Sequence, residues 1–122
     1  MMIKVFCKDY DALRKEIRKR ASNHEWSTWD TVEVTTSDGT KVKRLIHTPP
    51  NDDQYKVVQI KLYNPPEKDK KKNPTYLQLI PEVTDKELTK EQAEEKVGMV
   101  MGRFCEILNR YFPTLKEYHV LL

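Results

Sequence analysis

The sequence predicts an α+β domain with the element order β-α-β-β-β-β-α-β, an antiparallel-rich sheet and both helices on one face. This is a variant of the ferredoxin-like, split-βαβ arrangement. Three observations lead there. Two segments, one near each end of the chain, repeat apolar residues at helical spacing. Alternating runs rich in β-branched residues fill the stretch between them. Asp38-Gly39 joins two of those runs as a hairpin turn. The length of 122 residues predicts a single domain with one core.

Ile3–Cys7 (IKVFC) alternates around β-favouring residues and reads as the first strand. Asp9 then stands where a helix N-cap belongs, and Leu13, Ile17 and Ala21 form one stripe, so a helix is predicted from about Tyr10 to Ser22 and ended by Asn23. The run TVEVTTSDGTKVKRLIH gives a hairpin. With Asp38-Gly39 as the centre of a type I′ turn, Val34 pairs with Lys43, Glu33 with Arg44 and Val32 with Leu45.

TPPNDD breaks the chain. QYKVVQIKLY then reads as a strand with two faces: Val58, Ile60 and Leu62 on one, and Tyr55, Val57, Gln59, Lys61 and Tyr63 on the other. In TYLQLIPEV the residues Leu77 and Leu79 point inward, Tyr76 and Gln78 point outward, and Pro81 ends the ladder or marks an edge. Thr89-Lys90-Glu91-Gln92 is a capping box opening a helix to about Tyr111, with an apolar stripe from Ala93 through Val97, Val100, Met101, Phe104 and Leu108. Pro113 stops it, and EYHVLL reads as a last strand. With the Asp38-Gly39 hairpin set aside, the order becomes βαββαβ, with first and last strands paired mid-sheet. The sheet face opposite the helices is then open, and function belongs there.

Composition narrows the function classes. Charged residues make up 34% of the chain and mean hydropathy is −0.78, yet the periodic apolar runs predict a folded domain. No apolar run reaches membrane-spanning length, and the N-terminal apolar run is too short for a signal peptide. Cys7 and Cys105 lie far apart on apolar faces outside any CxxC pattern, which predicts two buried free thiols in a reducing cytosol. Net charge is +3, unevenly spread: residues 1–80 carry 16 basic and 11 acidic side chains, residues 81–122 carry 6 and 8. A basic side and an acidic side follow.

No motif names a reaction. His24, His47 and His119 occur singly, and there is no HExxH, CxxC, GxSxG or glycine-rich phosphate loop, so neither metal nor cofactor is expected. Asp9 and Asp11 are the best case for catalysis, as paired carboxylates holding Mg²⁺ for a nuclease. Capping and the helix dipole account for both without it. Gly98 and Gly102 weaken their helix by about 1 kcal/mol each, which predicts a close approach of its backbone to the sheet.

The candidate partner site has two parts. One is the outward sheet face carrying Tyr55, Gln59, Lys61, Tyr63, Tyr76 and Gln78. The other is the loop NPPEKDKKKNP with Lys68, Lys70, Lys71 and Lys72, whose plainest reading is a solvated hairpin tip diluted by Glu67 and Asp69. The residues point to a cytosolic interaction module of the inhibitor or immunity-protein kind, set against a protein with an acidic surface. The alternative is single-stranded RNA or DNA stacked on the tyrosines. Arg14, Lys15, Arg18 and Lys19 form a solvated helical flank on the far side from that face. Trp26 and Trp29 plug the core where the first helix meets the hairpin.

Overall fold

A computed structural model describes residues 1–115 and 117–121. The strands are β1 (Met2–Cys7), β2 (Trp29–Thr35), β3 (Lys41–His47), β4 (Val58–Tyr63), β5 (Thr75–Val83) and β6 (Tyr118–Leu121). The helices are α1 (Tyr10–Ser22) and α2 (Lys90–Tyr111). Leu122, the last residue of the expected final strand, lies outside the described residues. The strands form one six-stranded sheet ordered β2-β3-β4-β5-β1-β6, with every neighbouring pair antiparallel. Each helical crossover therefore returns parallel to the strand it left. The α1 connection skips three strands and the α2 connection skips β1, which is the split-βαβ pattern widened by two strands. β1 and β6 do pair, but β6 is an edge strand and the centre of the sheet is β4-β5.

Local chemistry sets the helix ends. The Asp9 carboxylate accepts from the Ala12 amide, and Thr89 and Gln92 close a reciprocal capping box. α1 ends in a Schellman motif: His24 N–H donates to the Ala21 carbonyl and Glu25 N–H to the Arg20 carbonyl, with His24 left-handed at φ 57°. Leu13, Ile17 and Ala21 of α1 and Val100, Met101, Phe104 and Leu108 of α2 are buried in one cluster with Ile3, Val5, Leu45, Val58, Ile60, Leu62, Leu77 and Leu79 of the sheet. The strand residues share one face by register, so both helices cover that face. Trp26 and Trp29 are buried where expected, each edge-on to the Phe104 ring at 6.2 and 5.1 Å. Val97 is only partly buried at the rim.

The hairpin is offset by one residue from its expected register. Val34 pairs with Val42, Glu33 with Lys43 and Val32 with Arg44. The loop holds three residues rather than two: a type I turn closed by Gly39 N–H to the Thr36 carbonyl, with Gly39 left-handed at φ 86°. The Asp38 carboxylate selects it, accepting from the Thr36 hydroxyl and the Thr40 amide, bonds that hold its pKa down to about 2. A one-residue shift turns β2 over relative to β3, so Leu45 keeps the core face while Val32 leaves it. Trp29, Leu45 and His47 thus face the helices, and Val32, Val34, Val42 and Ile46 face away.

Pro81 does mark an edge: the pairing of β5 with β1 stops at Leu79, while its pairing with β4 continues through Pro81 to Val83. Two other expectations need correction. Gln54–Val57 forms a 3₁₀ turn, so β4 begins at Val58 and Tyr55 leaves the strand. Gly98 and Gly102 are solvent-exposed, and a Cβ added at either meets nothing within 4 Å, so no close approach explains them.

Candidate functional site

Among the described residues no helix or strand covers the sheet face away from the helices, and the loop carrying Asp69 folds over it at Tyr76 alone. Across its middle run Val32, Arg44, Lys61, Ile80 and Met2. Val34, Val42, Tyr63, Gln78 and Lys4 form the next row, and Asp30, Ile46, Gln59 and Glu82 the row on the other side. Its central charges satisfy one another. Arg44 donates to Glu82 and to Gln59 Oε1 at 3.0 Å, and Lys61 lies 3.7 Å from Glu82. The aliphatic side chains around that network are half-buried and have no covering element.

Gln59, Lys61, Tyr63 and Gln78 stand together on this face as the alternation requires. Tyr63 is 47% exposed, with Lys61 Nζ 5.7 Å from its ring. Tyr76 shares the face but is buried. Its hydroxyl donates to Asp69, Phe6 packs at 5.4 Å and Lys4 sits 4.7 Å over the ring. Burial and the Asp69 carboxylate push the Tyr76 phenol up to about 12. Tyr55 lies on the helix side, 5.9 Å from the His47 ring and beneath Lys96 of α2.

The lysine loop is a folded lid over Tyr76 and not a bare hairpin tip. Glu67–Asp69 makes a 3₁₀ turn, and the Asp69 carbonyl accepts from the Thr75 hydroxyl. Lys70 bonds Glu67 and Lys72 pairs with Asp69 at 2.8 Å. Among the described residues, Lys68 and Lys71 have no carboxylate within ion-pair distance.

A second feature, which no spacing in the sequence predicts, abuts the face. Among the described residues, β3 and β4 are in register at just two positions, Leu45 with Ile60 and Ile46 with Gln59. Beyond these the strands part, and a cleft of about 430 Å³ opens between Val42–Arg44, Leu62–Asn64 and the Arg14–Arg18 flank of α1. Arg14 bonds Asp11 and donates to the Asn64 side chain. Sequence spacing identified Arg14 and Arg18 as a flank. Only the parted strands bring Lys43, Arg44 and Tyr63 beside it.

A further cleft, about 450 Å³, lies under α2 beside Trp29, His47, Tyr55 and Arg103. His47 Nδ1 donates to the Thr28 carbonyl at 2.9 Å, and burial lowers its pKa. Asp9 and Asp11 serve as cap and Arg14 partner, and no group of three or more His, Cys, Asp or Glu gathers as a metal site among the described residues. Cys7 and Cys105 are free, half-buried thiols whose pKa values burial raises. No described helix is long and apolar enough to cross a membrane. Compared with family models, curated proteins and solved structures, the chain finds no match in any of the three.

Proposed function

We propose that this protein is a binding module that docks a protein partner on the open face of its sheet. The observation that carries the reading is the aliphatic surface of Val32, Val34, Val42, Ile46 and Ile80, set around a charge network that is already paired within the chain. Half-exposed aliphatics gain free energy from an apolar partner surface. The paired charges at the centre need no counter-charge from it. Six strands at about 4.8 Å spacing make a face roughly 24 Å across, which with the loop suits an ordinary interface. Lys68 and Lys71 at one end favour a partner whose contact surface is acidic there. A single-stranded nucleic acid would find Tyr63 as its only exposed ring among the three tyrosines of the candidate site, since Tyr76 is capped and Tyr55 lies on the other side.

Affinity capture from lysate of the native host, with and without nuclease treatment, tests the proposal with three forms of the protein: wild type, Val34→Glu/Ile46→Glu on the face, and Lys90→Glu on α2 as control. A defined protein retained by wild type and control but lost from the face variant is expected, with all three melting cooperatively. Retention by the face variant overturns the site, and loss of all capture after nuclease overturns the partner class.

A further inference from the structure

The cleft between α1 and the parted strands holds more positive charge than the chain neutralises. Four cations line it: Arg14, Arg18, Lys43 and Arg44. Asp11 answers Arg14 and Glu82 answers Arg44. Glu33, opposite Lys43 in register, reaches Lys41 instead at 3.9 Å. Among the described residues, Arg18 and Lys43 are left with no carboxylate at ion-pair distance. The Arg18 Nε is buried with no hydrogen-bond partner, and burial together with the charge of Arg14 holds that guanidinium below its ordinary pKa. Arg18 lines the cleft with that donor unsatisfied behind it, and an oxyanion accepting from the rest of the guanidinium offsets the cost of burying its charge.

We propose that this cleft binds the phosphate monoester group of a small phosphorylated molecule, with Arg18 and Lys43 as its principal ligands. The two uncompensated cations match the charge of about −2 on a phosphate monoester at neutral pH. Guanidinium donors suit its oxygens, as a fork that an ammonium group does not provide. Tyr63 stands at the mouth with an exposed ring, placed to cover a planar group attached to the phosphate. The site shares Val42, Arg44 and Tyr63 with the protein-docking face, and it needs no partner to be tested.

The purified protein is titrated, in separate arms, with inorganic phosphate, ribose 5-phosphate, AMP, adenosine and a single-stranded oligonucleotide, following amide shifts of Arg18, Lys43 and Tyr63 by NMR. All three phosphates are expected to move these signals at concentrations on the order of 1 mM, with adenosine alone far weaker. Arg18→Gln and Lys43→Gln should each weaken AMP by about ten-fold or more. Lys43 is exposed, so its variant reports on binding even if Arg18→Gln proves unstable. AMP bound more tightly than ribose 5-phosphate, with the difference erased by Tyr63→Ala, identifies a nucleoside phosphate. Equal affinity identifies a plain phosphate monoester. The proposal fails if no phosphate binds, if adenosine binds as well as AMP, or if Lys43→Gln leaves phosphate binding unchanged. It also fails if only oligonucleotides bind, which would assign the cations to a polymer backbone.

Discussion

Tyr76 shows how a single hydroxyl decides what a sheet face presents. Its ring lies among Phe6 and Lys4, and its O–H is given to Asp69, so the lysine loop folds down on it. The folded-state phenol titrates at about 12, above the ordinary value near 10. A tyrosine whose pKa is raised by folding contributes stability that is present below about pH 10 and lost as pH rises toward 12, because the unfolded chain releases the proton first. Tyr76→Phe should therefore flatten the alkaline limb of stability against pH, read from denaturant midpoints between about pH 9 and 11. An unchanged alkaline limb would mean that Tyr76 is not capped. Nothing in the sequence distinguishes Tyr76 from Tyr63. Both are outward-facing by alternation, and only the turn that brings Asp69 back seven residues before Tyr76 separates the buried ring from the exposed one.

At the scale of elements, the two helices were legible to the residue because each carries its own boundary chemistry: Asp9 and Thr89 at the starts, Asn23 and Pro113 just past the ends. The strands were less so. Asp-Gly fits a two-residue turn, and the Asp38 hydrogen bonds that favour the three-residue loop involve Thr36 and Thr40, outside that pair. The extra loop residue turns β2 over relative to β3, so Val32 and Val34 face away from the helices while Leu45 faces them.

α2 offers two independent tests. Phe104 is fully buried against both tryptophans, so Phe104→Ala should cost about 3–5 kcal/mol in chemical denaturation. A cooperative melt barely displaced would refute the packing of α2. Gly98 and Gly102 are exposed with open space at the missing Cβ, so alanine at either should stabilise the protein by roughly 0.5–1 kcal/mol. Destabilisation at either position would show a backbone contact that the fold does not contain.

For the whole molecule, the split-βαβ topology puts every helix on one side and leaves the other free, while the parting of β3 from β4 cuts a basic cleft beside that free side. The open face follows from element order and was foreseeable. The cleft depends on where two strands stop pairing, and no residue pattern announces that. If the open face docks a protein, Lys68→Gln/Lys71→Gln should slow association by roughly ten-fold at low salt and little at high salt, because these charges steer the encounter. Tyr63→Ala should instead speed dissociation, since contact area sets residence time. Stopped-flow or surface-based kinetics at two ionic strengths would separate the two effects, and an equal change in both rates for both variants would contradict this division of roles.

The most direct test of the open-face proposal is methyl NMR of the valine, isoleucine and leucine side chains while a captured partner is added. Val32, Val34, Val42, Ile46 and Ile80 point to the open face, and Leu13, Ile17 and Leu108 lie beneath the helices. Docking on the open face should shift or broaden the first set and leave the second near its free positions. Perturbation centred on Leu13, Ile17 and Leu108, with the open-face methyls unmoved, would contradict it.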